Sequence, residues 1–94
     1  MKIRIDFLAQ ARAAAGCNGI EVEATSPLTV ADAIRLALRN LSHAPALQSM
    51  VLTPTQSLHP WLMITVADQA ILEPENHRLN ADAVICLMPP ISGG

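Results

Sequence analysis

Val30, Ala33, Ile34, Ala37, Leu38 and Leu41 recur at three- and four-residue spacing, while Asp32, Arg35 and Arg39 fall elsewhere on the cylinder. This pattern predicts one amphipathic helix, and its apolar stripe requires a second layer to lie against. Its start is marked by Thr29-Val30-Ala31-Asp32, a Ser/Thr-x-x-Asp/Glu capping box that satisfies exposed amides at a helix N-terminus. Its end is set by Asn40, Ser42, His43 and Pro45, because proline cannot continue a helix and pushes its predecessor toward extended geometry.

The partner layer is legible as period-two patterning. Residues 2–8 place Ile3, Ile5 and Phe7 on one side and Lys2, Arg4 and Asp6 on the other, as a half-buried strand requires. Residues 9–18 are Ala-rich and lead into Gly16, Cys17, Asn18 and Gly19, a short helical turn followed by a break. Ile20 and Val22 alternate with Glu21 and Glu23, a second strand expected to pair antiparallel with the first. Residues 44–60 mix Leu47, Met50, Val51 and Leu52 with Pro45, Pro54 and Pro60, which suits a short second helix and a loop. Trp61 to Ala67 form an apolar, β-rich run; Asp68 and Gln69 make a tight turn into Ala70, Ile71 and Leu72. Leu79 to Asp82 form another turn before Ala83 to Met88, which is apolar on both faces and belongs in mid-sheet or against a partner. The order strand, strand, helix, strand, short strand, strand gives an α+β domain in which one mixed sheet carries a helix across one face.

Size and composition close off other classes. Ninety-four residues support a single core. With 51% hydrophobic and 15% charged residues the chain is too apolar to be disordered. Aromatic residues are 2% of the chain, so aliphatic side chains fill the core and base stacking is disfavoured. The net charge of −2 and the dispersed Lys and Arg leave no footprint for nucleic acid. Lys2 to Asp6 alternate, unlike a signal peptide, and no later stretch is long and apolar enough to span a bilayer. Cys17 and Cys86 are too few and too distant for a disulfide framework, so a reducing, cytoplasmic location is expected, with no membrane partner.

Chemistry is expected at the end of the sequence, Pro89-Pro90-Ile91-Ser92-Gly93-Gly94. Consecutive prolines favour polyproline geometry and cannot extend a sheet's hydrogen bonding, so they steer the chain away from the domain. This divides the chain into a domain over residues 1–88 and an extended tail over 89–94. The residues beyond Pro90 reach roughly 14 Å when extended, enough to enter a cleft on another protein. Gly93 and Gly94 remove side-chain bulk and leave a terminal carboxylate unhindered. A carboxylate is a poor electrophile, so reaction at Gly94 needs activation, most simply by ATP as an acyl-adenylate that then accepts sulfur or an amine. An inert, solvated terminus is the plain alternative.

The ending Pro-Pro-Ile-Ser-Gly-Gly resembles that of the MoaD family, the small sulfur-carrier subunit of molybdopterin synthase within the ubiquitin-like MoaD/ThiS superfamily. The opening strand with Ala9-Gln10-Ala11-Arg12, the Thr29 to Asp32 helix start, the hairpin around Asp68 and the Leu79 to Asp82 turn follow the family's order, leaving residues 44–60 outside the resemblance. The resemblance implies a β-grasp (ubiquitin-like) fold, a mixed sheet of about four to five strands with one main helix across it. It implies further that Gly94 is adenylated by a ubiquitin-activating-type, MoeB-like adenylyltransferase and converted to a thiocarboxylate. That group would enter the active site of a large, MoaE-like synthase subunit and donate sulfur to a pterin precursor in molybdenum cofactor biosynthesis. Pro89, Pro90, Ile91, Ser92 and Gly93 match the guiding segment of the tail. On this reading the chain binds no permanent cofactor and no metal, the activating partner uses the ATP, and the chain is not catalytic alone. ThiS-like carriers for thiamine, cysteine or transfer-RNA thiolation share fold and tail, and a ubiquitin-like protein modifier or a non-catalytic interaction module remain as other readings. The turn before the last strand has Ala81 where the family usually has glycine, and Ala67 stands at a frequent asparagine position. The last strand is also one residue longer, which leaves open whether Ile85 and Leu87 or Cys86 and Met88 face outward.

Other reactive side chains carry plainer readings. Cys86 in an apolar strand reads as a small hydrophobe, and Cys17 as a loop residue. His43, His59 and His77 lack zinc-ligand spacing and read as surface residues. Asp82 and Glu73 suit turn and edge roles better than a catalytic pair. Trp61 reads as a core plug in preference to an interface anchor.

Overall fold

A computed structural model describes residues 1–41 and 43–90. The alternation of Lys2 to Phe7 becomes strand β1 (Lys2–Phe7), with Ile3, Ile5 and Phe7 fully buried. Helix α1 (Gln10–Ala15) follows and ends at Gly16, whose φ of 75° lets its amide bond to the Arg12 carbonyl at 3.0 Å. That left-handed cap suits glycine, since a Cβ at this φ would strain the backbone even though the space around it is open. Strand β2 (Gly19–Glu23) then pairs antiparallel with β1, from Lys2 opposite Glu23 to Asp6 opposite Gly19. The expected hairpin is present, and the intervening helix does not disturb its register.

The short strand β3 (Leu28–Thr29) leads into α2 (Val30–Arg39). Thr29 Oγ1 accepts the Asp32 amide at 3.1 Å, as the capping motif requires. The second half of the box is differently employed: the Asp32 carboxylate accepts from Arg35 at 2.9 Å. Val30, Ala31, Ala33, Ile34, Ala37 and Leu38 are the buried face of α2. Within residues 44–60 the short second helix is α3 (Pro45–Val51), with proline in its first turn and Leu47 and Val51 buried.

Strands β4 (Met63–Val66) and β5 (Gln69–Ala70) form the second hairpin. Its turn differs from expectation by one residue, since Ala67 and Asp68 occupy it with φ of 51° and 65°. Two positive φ values in a two-residue loop are the signature of a type I′ turn, whose twist suits a hairpin. Strand β6 (Arg78–Leu79) pairs with β3 in a separate two-stranded ribbon, and β7 (Ala83–Met88) closes the chain order.

The main sheet has the order β2-β1-β7-β4-β5. β7 lies at its centre, parallel to β1 and antiparallel to β4. The mixed sheet with a helix laid across it is therefore present, with α1 and α3 packed together beside α2. Ile3, Ile5, Phe7, Ile34, Leu38, Leu47, Ile85 and Leu87 make the centre of a core in which Phe7 is the sole aromatic ring. Among the described residues no helix is long and apolar enough to cross a membrane.

Candidate functional site

The register of β7 settles which of its faces is available. Ile5 lies opposite Ile85 and Phe7 opposite Leu87, so these side chains share the helix-covered face. Val84, Cys86 and Met88 consequently point to the other face, where no helix lies among the described residues. Across the β4 ladder Met63 stands opposite Met88 and Thr65 opposite Cys86. The result is an apolar strip down the open face in which Val84 is 47% and Met63 54% exposed. Charged residues of β1 and β2 flank it: Arg4 lies between Glu21 and Val84 in the ladder, and its Nε donates to Asp6 Oδ1 at 2.6 Å. A polar margin around an apolar strip is the composition of a protein-docking surface.

The strip ends at Met88, the last residue of β7. The Leu8 amide bonds to the Leu87 carbonyl at 3.0 Å, carrying the β1–β7 pairing to the last turn of the strand. Pro89 is buried and Pro90 exposed, so packing holds the first proline and releases the second. Ile91, Ser92, Gly93 and Gly94, the heart of the expected tail, lie outside the described residues.

Trp61 corrects the expectation of a core plug. The indole is 55% exposed and stacks on the His59 ring with centroids 4.2 Å apart and planes inclined by 10°. The space over the sheet is already filled by Phe7, Leu38 and Leu47, so the ring finds its packing partner at the surface. His59 is held in turn by a 3.1 Å contact from Nε2 to the Ser49 carbonyl.

The remaining reactive residues take supporting roles. Cys17 and Cys86 are free and half-buried. The Asp82 carboxylate accepts the Lys2 amide at 2.8 Å, which ties the turn before β7 to the start of β1. His43 and His77 are exposed, and no cluster of three metal-ligating side chains occurs among the described residues. Arg35 is the densest polar node: it reaches Glu75, Asp32 and the Gln56 carbonyl, tying α2 to the two loops on either side of the β4–β5 hairpin. Hydrogen bonding to Glu75, followed by attraction to both carboxylates, raises its pKa above the usual arginine value against the opposing effect of burial.

The sequence marked His59 as a surface residue, but it marked neither the exposure of Met63 and Val84 nor the stacking of Trp61 on His59. The alternation of β7 held that information, and pairing Ile5 with Ile85 is what reads it.

No protein-family model matches the chain, and no curated protein sequence matches it. Solved structures do. Small archaeal modifier protein 1 from Haloferax volcanii superposes with a TM-score of 0.84 at 26% identity, covering 100% of both chains. A putative molybdopterin converting factor subunit 1 from Pyrococcus furiosus gives 0.70 at 18% identity, over 97% of this chain and 99% of that one. A chain of the Amycolatopsis orientalis BexX/CysO complex gives 0.67 at 17%, over 98% and 99%. With the topology above, these matches establish that the chain has the ubiquitin-like β-grasp fold, the fold of small archaeal modifier protein 1.

Proposed function

We propose that the chain is a ubiquitin-like sulfur carrier that works through the carboxylate of Gly94. An oxygen of that carboxylate attacks the α-phosphorus of ATP in an activating, MoeB-like adenylyltransferase, and pyrophosphate leaves. A hydrosulfide equivalent then adds to the acyl carbon and AMP departs, which leaves a thiocarboxylate. Delivered into a large, MoaE-like subunit of molybdopterin synthase, its sulfur attacks a carbon of a pterin precursor and displaces an oxygen leaving group; water then cleaves the acyl–sulfur bond, so that sulfur stays on the pterin and the carrier returns as the Gly94 carboxylate. The domain supplies no catalytic side chain; it supplies a grip for the two partners and an arm.

The observation that carries the reading is the strip of Met63, Val84, Cys86 and Met88 on the open face, which runs toward Pro89 and Pro90 where the chain leaves the sheet. A partner seated on that strip lies beside the start of the Ile91-Ser92-Gly93-Gly94 segment, whose small residues suit a narrow channel. The test is reconstitution. Carrier loaded with sulfur, mixed with the large subunit and pterin precursor, is expected to yield the dithiolene product. Deleting Gly94 is expected to abolish transfer with melting temperature unchanged; product formation by the deletion variant would refute the reading.

A second reading, attachment of the chain to lysines as a protein modifier, is favoured by its 26% identity to small archaeal modifier protein 1 over the whole of both chains. The same adenylate serves it, with an amine in place of sulfur. Isopeptide-linked lysine adducts in a lysate, and no thiocarboxylate, would decide for it.

A further inference from the structure

The margin of the sheet at β5 is built differently from the open face. β5 is an edge strand. The Val66–Gln69 pair closes the hairpin, and the Ile71 amide donates to the Ile64 carbonyl at 2.8 Å. In an antiparallel ladder alternate residues turn their amides and carbonyls away from the partner strand. Ala70 and Leu72 therefore present theirs outward, a template for one more strand.

Beside this edge runs a groove of about 440 Å³ lined by Leu58, Leu62, Ile64, Ile71 and Leu72. Leu72 is 90% exposed, far more than any other large apolar side chain described. Nothing among the described residues covers it.

The rim has one sign of charge. Residues 40–77 contain Asp68, Glu73 and Glu75 and no Lys or Arg. Arg35 neutralises Glu75, whereas Asp68 and Glu73 make no ion pair among the described residues. A second copy of the chain would bring the same carboxylates to the same edge, and like charges directly opposite are unfavourable. An acidic partner is disfavoured for the same reason. What complements the groove is an extended segment that alternates apolar and basic residues, its main chain bonded to Ala70 and Leu72.

We propose that the β5 edge and its groove dock an extended, apolar and basic peptide segment of a partner protein, added to the sheet as a further strand with a Lys or Arg beside Glu73. The site lies across the sheet from β2 and does not use Gly94, so it stands independently of the sulfur-carrier reading.

The experiment is a titration of ¹⁵N-labelled protein with a short acetylated peptide alternating valine and lysine, and with its glutamate counterpart. The lysine peptide is expected to shift residues 69–73 and to slow amide exchange at Ala70 and Leu72. It should bind at least about tenfold more tightly than the glutamate peptide, with the gap narrowing as salt is added. Glu73→Lys should invert that preference, and Leu72→Ser should weaken both peptides several-fold; each residue is exposed, so each variant folds. Equal binding of the two peptides, shifts centred on Met63 and Val84, self-association through β5 without peptide, or no shift at millimolar peptide would each overturn the proposal.

Discussion

Truncating Ile85 and Val84, neighbours in β7, should have very different consequences. Ile85 is fully buried between Ile5 and Val66 in the ladder, and Val84 is 47% exposed on the opposite face. Ile85→Ala removes three carbons from a closed core, about 2.4 kcal/mol at ~0.8 kcal/mol per buried carbon. The cavity left behind brings the loss to about 3–4 kcal/mol. Val84→Ala removes two carbons from a half-exposed site, or about 0.8 kcal/mol on the same scale. The expected gap of about 2–3 kcal/mol is a large part of the stability of a domain this size, roughly 5–14 kcal/mol. Urea titration of both variants, with the slope of the transition checked for constancy, measures it directly. In thermal melts the gap should appear as roughly 8–20 °C. Equal losses, or a larger loss for Val84→Ala, would mean that β7 is turned over, and the apolar strip on the open face would not exist. On the proposed carrier function, Val84→Ala should instead weaken binding to the adenylating partner while leaving the fold intact.

Two further changes probe the frame around that strand. Ala67→Asn should stabilise the hairpin by about 0.5–1 kcal/mol, because asparagine tolerates the left-handed conformation that alanine is made to adopt at φ 51°; an unchanged urea midpoint would contradict the turn assignment. Gly19→Ala should cost about 1–3 kcal/mol, since a Cβ there would stand 2.6 Å from the Ile5 carbonyl oxygen and 2.7 Å from the Asp6 carboxylate; a neutral result would show that β1 and β2 are less closely joined.

How far the sequence spoke for the fold depended on whether the signal was local. α2 was legible in full because Thr29 and the three-four spacing of Ile34, Ala37 and Leu38 lie within one element. β1 was legible because its faces differ in polarity. β7 was legible as a strand, yet its two faces are both apolar, and only its pairing with Ile3, Ile5 and Phe7 distinguishes them. Ala67 gave no turn signal, since its positive φ is imposed by the two-residue loop between β4 and β5. β3 and β6 are two residues each, too short for any period to register. Trp61 misled because residue type favours burial, whereas the filled core left its ring to His59. For the candidate site, the Gly-Gly ending was visible as composition, and the apolar strip of Met63, Val84, Cys86 and Met88 was not, being a property of pairing across three strands.

The central claim is that the Gly94 carboxylate takes up sulfur. Intact mass spectrometry of the chain ending at Gly94, after incubation with ATP, a sulfur donor and its adenylating partner, tests this most directly. A mass gain equal to one oxygen replaced by sulfur, located by fragmentation at Gly94, is the predicted result. An unchanged mass, with a partner that demonstrably forms the adenylate, would contradict it.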